Sequence, residues 1–341
     1  MSLTDDINYR QVLSTSMAYR LPGIQDLVFN SNPVTAELRK RGRFKRFDGP
    51  EIRVSLMIDK FDGQWIAGYD KFDIQAKEIV NDAVFTPKTL VVPFSLTGQE
   101  IRANRGNRTR VHNLLATYME NVENSAKDLW EISLHSDGTT AAGREMIGFG
   151  GALPIIPTSG VYGGIDRGTH AIWRTATYDA QTDFTAQGIT GWDSTTARKI
   201  IERVTALRSK GNRYPGLWIM DLDSYQALSA GMVAIQRIVK SDGGSATYGY
   251  NALEVATPAG NVDVVCATGV GTVMPANTAY ALDLQALSVF ERPGASWDLL
   301  FSGEGMQPIN QDAIAQGIMW EGELVLENPR YSARVLTDPP A

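Results

Sequence analysis

Asp221 and Asp223 stand one residue apart just beyond the apolar run Leu217–Met220, where a strand gives way to a helical pattern. Carboxylates at a strand end are what a metal-dependent transferase would use to hold a divalent cation. The same two residues are what a strand-to-helix turn uses to cap its first N–H groups, and that plainer use is preferred. The three histidines, His112, His135 and His170, have no metal-ligand spacing to one another or to Cys266. His112 and His135 read as helix-surface residues. Cys266 lies in an apolar run, the setting of a buried, inert thiol. Gly269-Val-Gly271 follows that run as a dinucleotide loop would, but Pro275 comes where a helix should start, so a tight turn is the better reading. The sequence contains neither a G-x-S-x-G nor a Walker A pattern. The expectation is a protein with no catalytic residue, no cofactor site and no metal site.

Two other clusters suit binding by surfaces. Arg39, Lys40, Arg41, Arg43, Lys45 and Arg46 place six cations in eight positions of a chain whose formal net charge is −6. Adjacent cations match a phosphate backbone without reading bases, or carboxylates on a protein surface. Phe44 and Phe47 interleave the charges and favour a protein partner, an acidic surface on an adjacent subunit or scaffold. The second cluster is Phe61, Trp65, Tyr69 and Phe72, lying between two strand-like runs. Aromatics at the end of a hairpin with little core of its own need cover, from their own domain or from a neighbouring molecule. Inter-subunit contact is the expectation for these four.

The elements that would position them start with Thr109–His135. Val111, Leu114, Leu115, Tyr118, Val122, Ala126, Leu129 and Ser133 recur at steps of three and four, one stripe of a helix, while Glu120, Glu123, Asn124 and Asp128 fall opposite. Such a helix is roughly 40 Å long, well above the usual three turns. Ile52, Val54 and Leu56 alternate with polar residues as in a half-buried strand, and Leu90, Val92, Phe94 and Leu96 do the same. These two runs are expected to pair as a long excursion over 50–97, with Pro87 and Pro93 holding the second at an edge. Asp193-Ser194 is positioned to cap a helix from Thr195 to Lys210, with Ile200, Ile201, Val204 and Leu207 inward and Gly211 ending it. From Leu253 onward the pattern is β. The mixture reads as α+β rather than a regular βαβ alternation.

Composition sets the outer bounds. At 341 residues and 43% hydrophobic, the chain can bury a sizeable core in two or three units. The net charge argues against nucleic-acid binding over the whole surface. One cysteine excludes an internal disulfide framework and fits a reducing cytoplasm. The first thirty residues have no apolar core, so no signal peptide is expected, and no run of eighteen apolar residues would span a membrane.

Taken together, RFKRFDGPEIRVSL, the aromatic WIAGYDKFD, GGIDRGTHAIWR with Trp173 and Arg174, MDLDSYQAL and the closing WEGELVLENPR resemble the major capsid proteins of tailed bacteriophages, of the Hong Kong 97-like fold. The resemblance covers essentially the whole chain. It implies an N-terminal arm at 1–49, an extended hairpin loop at 50–97, and a peripheral domain with the spine helix at 98–150. A mainly axial domain at 151–310 and return strands to the peripheral domain at 311–341 would complete the order. It implies self-assembly into pentamers and hexamers of an icosahedral shell built in the host bacterial cytoplasm and enclosing double-stranded DNA non-specifically. A separate scaffolding protein, a portal and a decoration protein are further partners it allows, and no membrane is involved. Two readings stand beside it: a non-viral compartment shell of the same fold, and a metal-dependent enzyme using Asp221 and Asp223.

Overall fold

The structure, a computed structural model, describes residues 33–57, 61, 63–71, 79–103, 108–233, 253–267, 274–301, 306–307 and 311–338, with backbone alone at 33, 101–116 and 233. Its helices are α1 (Pro33–Lys40), α2 (Gly98–Ala103), α3 (Arg108–His135), α4 (Ala197–Leu207) and α5 (Leu222–Val233), with single turns at Thr140–Gly143 and Phe149–Ala152. Strands β1 (Phe44–Arg46), β2 (Ile52–Met57), β3 (Val80–Phe85) and β4 (Lys88–Thr97) precede α3; the short β5 (Val161–Tyr162) and β6 (Ile165–Asp166), then β7 (Ala176–Asp179), follow it. Beyond α4 come β8 (Leu217–Met220), β9 (Leu253–Thr257), β10 (Gly260–Cys266), β11 (Thr278–Leu282), β12 (Leu287–Leu299), β13 (Ala313–Leu326) and β14 (Ala333–Leu336).

The spine helix α3 is 28 residues long, as its periodicity predicts. Its buried side is Met119, Val122, Ala126, Trp130, Ser133 and Leu134. Leu129, expected inward, is 37% exposed, and its neighbour Trp130 is fully buried instead. The indole wins because three rings meet there: Trp130 stands edge-on to Trp320 at 4.8 Å and to Trp297 at 6.1 Å. Its Nε1–H donates to Thr35 Oγ1 at 3.1 Å, so the spine also holds α1. His135, expected on the helix surface, is buried between Phe149 and Tyr280, with ring centroids 5.9 and 6.1 Å away. The turn at 149–152 folds back over the end of α3 and covers it. That return is possible because Gly148 approaches the helix end so closely that a Cβ would lie 2.3 Å from the Ser133 carbonyl oxygen.

Beside the spine lies a four-stranded sheet in the order β1-β12-β13-β4. The expected pairing of the 90–96 run with the 52–56 run is corrected: β4 pairs antiparallel with β13, while β2 pairs with β3, Ile52 opposite Phe85. Ten-residue β4 finds in fourteen-residue β13 a partner long enough to satisfy it, and Pro93 sits opposite Gly317 on the sheet edge, where its missing N–H is tolerated. β3, VNDAVF, has two polar residues in its first half and gives little apolar signal.

The second sheet has six strands in the order β7-β14-β11-β8-β10-β9. Central β8, Leu-Trp-Ile-Met, is buried at every position because alternate side chains enter different cores. Leu217 and Ile219 join Trp130, Trp297 and Trp320 in the core shared with the spine. Trp218 and Met220 join Ile200, Ile201 and Val204 of α4 and Leu228 of α5 in a second core. The same alternation divides β11, with Tyr280 and Leu282 facing the first core and Ala279 and Ala281 the second. One layer thus binds the whole fold together. Leu207 of α4, expected inward, is exposed at the helix end. β12, lying before 310, runs in the spine's sheet, and β14, lying after 311, runs in the six-stranded sheet. The last strands are therefore divided between the sheets, because β13 is followed by a turn at Pro329–Tyr331 that reverses into the gap between β7 and β11.

Candidate assembly surfaces

Between β2 and β3 lies an aromatic segment whose described aromatic side chains are exposed. Phe61 is largely exposed, and Trp65 and Tyr69 are 103% and 106% exposed, as open as in an extended peptide. Met57, Ile66 and Val80 extend the apolar surface down the hairpin. The segment has local order: the Asp70 N–H donates to Ala67 O at 3.1 Å, the Ala67 N–H donates to Asp70 Oδ2 at 3.0 Å, and Gly68 supplies φ +58°. Phe72, the fourth expected contact residue, lies outside the described residues.

The motif GGIDRGTHAIWR fixes the base of this hairpin. Val84 N–H donates to Gly163 O at 2.8 Å, and Phe85 meets the Tyr162 ring edge-on at 5.0 Å. Tyr162 Oη accepts from Leu326 N–H in β13 at 2.9 Å, and the Tyr162 carbonyl accepts from Trp173 Nε1–H at 2.8 Å. Burial pushes the Tyr162 phenol above its ordinary pKa, so it stays neutral. Arg167, buried over the same ring, donates to the carbonyls of Gly151 and Ala152 at 3.0 and 2.9 Å. Burial lowers its pKa from the ordinary value. Arg174 donates to the carbonyls of Arg167 and Gly168 and closes the loop. The motif is a mechanical joint between hairpin, turn and sheet.

The basic run finds carboxylates in its own chain. β1 pairs in parallel with β12, Phe44 opposite Val289, and Phe47 is buried, so residues 44–47 are stitched to the body. Arg41 pairs with Glu37 at 2.7 Å and reaches Asp263 at 3.4 Å; Lys45 pairs with Glu327. Arg43 and Arg213 oppose the desolvation that raises the pKa of buried Asp283, and Arg213 reaches its Oδ2 at 3.2 Å. The acidic surface sought on a neighbour is thus supplied, for Arg41 and Lys45, within the subunit. Arg39, Lys40 and Arg46 are exposed.

Asp221 and Asp223 do not converge as ligands would. Asp221 is buried, and its main-chain carbonyl accepts from Tyr225 N–H at 3.0 Å at the start of α5; Asp223 is an exposed residue of the first turn. Among the described residues no three of His, Cys, Asp and Glu gather as a metal-binding group. Cys266 is buried, its thiol pushed up to about 11 by burial and by the Asp221 charge, the inert state its setting suggests. Gly269 to Gly271 lie outside the described residues. No helix among those described is long and apolar enough to cross a membrane.

Sequence reasoning missed several buried ionisable groups, Glu323 and His135 among them. Glu323, in WEGELVLE, is fully buried; its Oε1 accepts from Ile147 N–H at 2.7 Å, and burial raises its pKa to about 8. His135 is pushed down to about 4 by burial. A carboxylate between two glycine-flanked apolar runs looks like the polar side of an alternating strand, and only a cover on both faces of β13 makes it core.

No family model matches the chain in sequence, and no curated protein does. Solved structures resolve the fold: it is that of shell-forming capsid proteins, Hong Kong 97-like, with a spine helix, an extended hairpin and two sheets. The chain superposes on the "Cyanophage A-1(L) capsid asymmetric unit" with TM-score 0.59 at 14% identity, covering 86% of this chain and 90% of that one. It is similar to the encapsulin SrpI complex from Synechococcus elongatus PCC 7942 with TM-score 0.51 at 10% identity, covering 90% of each. It is similar to the capsid of an empty GTA particle with TM-score 0.50 at 12% identity, covering 87% of this chain and 94% of that one.

Proposed function

We propose that this chain is the major capsid subunit of a tailed bacteriophage, assembling into capsomers and a closed icosahedral shell around double-stranded DNA. The observation that carries the reading is a two-sheet body with an aromatic hairpin tip whose described side chains, Phe61, Trp65 and Tyr69, are left exposed. Apolar surface of this kind is found where another protein will sit. The fold shared with capsid structures over most of both chains supports the same conclusion. The subunit acts through interfaces, each about 1,600 Å² when of standard size, repeated around a lattice so that many moderate contacts add. The hairpin loop, a peripheral domain on α3 and an axial domain on the six-stranded sheet are the working parts, and the shell would be built in the host cytoplasm. Scaffolding, portal and decoration proteins are the expected partners.

Negative-stain microscopy and sedimentation of the purified chain test this, with a scaffold supplied if required. Closed shells in the megadalton range are the expected result. A stable monomer or dimer under all assembly conditions, with metal-dependent turnover, would overturn it in favour of an enzyme. The similarity to an encapsulin complex supports a second reading, a compartment shell, which the contents of the particle separate: packaged DNA or enclosed protein.

A further inference from the structure

We propose that residues 140–147, which carry the chain away from the spine, form a sprung strap latched by Lys88 and Glu323, and that loss of the Glu323 proton opens it. The device belongs to the subunit itself and holds whether or not the subunit builds a shell. Its spring is the turn Thr140–Gly143. Ala141 and Ala142 have φ +50° and +58°, both with ψ +37°, and Gly143 follows at φ +75°. Three successive left-handed residues, two of them alanine, persist only where the surroundings impose them. Both alanine side chains are exposed, so their own packing does not impose it.

Two side chains from adjoining strands hold the strained turn and the residues just after it. Lys88, the first residue of β4, donates from Nζ to Gly143 O at 2.7 Å. Glu323 of β13 accepts from Ile147 N–H at 2.7 Å. Lys88 stands opposite Gly322 in the sheet, so the two latches come from neighbouring positions. Between the latched points, Glu145 accepts from Ser136 Oγ at 2.8 Å and Met146 is buried.

Glu323 connects the latches through its charge. Its side chain is fully buried, and Oε2 has no hydrogen-bond partner among the described residues. A neutral acid tolerates that setting, whereas an ionised one is a buried charge short of a partner. Lys88 is the cation that acts on it. β12 places uncharged Phe290 opposite, and the nearby Tyr162 phenol is kept neutral by burial. Arg167 over that ring is committed to the carbonyls of Gly151 and Ala152. On the strap Arg144 is exposed, and at the end of the spine burial keeps His135 uncharged. A charge-assisted hydrogen bond is stronger than one to a neutral carbonyl, so ionised Glu323 draws Lys88 away from Gly143. The left-handed turn then relaxes. Burial raises the Glu323 pKa to about 8, which puts the closed strap below that pH and the open one above it.

The test is hydrogen exchange of the full chain, followed in peptides covering 139–147 and corrected for the intrinsic effect of pH on exchange. Protection of the parent should fall about tenfold between pH 7 and pH 9, while central β8 keeps its protection. Glu323→Gln retains the acceptor for Ile147 N–H and cannot ionise, so its strap should stay protected at both pH values. Lys88→Met removes the other latch, and its strap should be as open at pH 7 as the parent's is at pH 9. Ala142→Gly relieves the left-handed strain and should move the midpoint of release to higher pH. An equal fall in Glu323→Gln, or a Lys88→Met strap as protected as the parent's, would overturn the latch. Loss of protection across the whole body would overturn it too, since Glu323 would then act on the fold and not on the strap. An unmoved midpoint in Ala142→Gly would remove the spring.

Discussion

Two buried ionisable side chains respond to pH in opposite senses. Glu323 has its folded pKa raised to about 8 by burial, above the ordinary glutamate value, with the Lys88 charge and the Ile147 N–H opposing the shift. The folded state therefore holds a proton that the unfolded state has released. Its contribution is fully present below the unfolded pKa and is lost as pH rises through about 8. His135 has its folded pKa lowered to about 4, so its contribution is present above the ordinary histidine value and is lost as pH falls towards 4. The two effects oppose each other in mildly acidic solution, and between the histidine value and about 8 only Glu323 acts. Glu323→Gln keeps an acceptor for Ile147 and removes the charge. Its melting temperature should match the parent at pH 5 and exceed it increasingly up to pH 8.5; a constant difference across that range would show that Glu323 is ionised in the fold. Trp130→Ala, by contrast, empties the meeting point of three indoles and removes the indole N–H donated to Thr35, and should cost about 3–5 kcal/mol at every pH, read by denaturant unfolding.

The hairpin is positioned by a joint that depends on one backbone conformation. Gly163 has φ +59°, and a Cβ there would lie 2.6 Å from Phe85 Cζ. Gly164 has φ +76° with open space around it. Gly164→Ala should therefore cost only the left-handed strain, about 1–2 kcal/mol. Gly163→Ala adds a clash inside the Phe85–Tyr162 contact and should cost more, with faster hydrogen exchange in β2 and β3 than the Gly164 variant shows. Equal effects would mean that the joint yields freely. This joint shows where sequence reading stops. The spine was legible from its 3.6-residue period. Helix α4 was legible as an element, with Asp193 Oδ1 accepting from Thr195 and Thr196 N–H at 2.6 and 2.9 Å just before it. It runs Ala197–Leu207 and ends at Arg208, short of the expected Thr195 to Lys210 and its Gly211 stop. The aromatic tip was legible as surface needing cover. The partner of β4 was not, because alternation reports which face is buried and says nothing about which distant strand lies alongside. Nor was Trp130, one position from the expected stripe, since its place is decided by indoles about 170 and 190 residues away. The basic run was legible as charge, and its partners Glu327 and Asp263, distant in sequence, became visible only in the fold.

At the scale of the molecule, the proposed shell would draw on surfaces that the subunit's own stability does not use. The two cores meet through the six-stranded sheet, and neither includes a residue of the tip. Trp65 and Tyr69 touch neither core and stand wholly in solvent. Replacing both by alanine removes nothing the isolated subunit uses, and its melting temperature should change by no more than about 1–2 °C, the shift expected of a surface change within ±0.5 kcal/mol. If the proposed shell forms through the tip, the same side chains become buried in every copy. Large aromatics at the centre of an interface contribute about 2 kcal/mol or more each, so the double variant weakens each tip contact by about 4 kcal/mol if the two act independently. A factor of ten in affinity corresponds to about 1.4 kcal/mol, which makes the loss several hundredfold per contact. A closed lattice repeats the contact around every ring, so the effect on assembly is steeper than on any one pair. Trp65→Ala with Tyr69→Ala should therefore give a circular dichroism spectrum like the parent's and a sedimentation profile with the shell fraction gone. A variant that builds shells at the parent's concentration would show that the exposed tip plays no part in holding copies together.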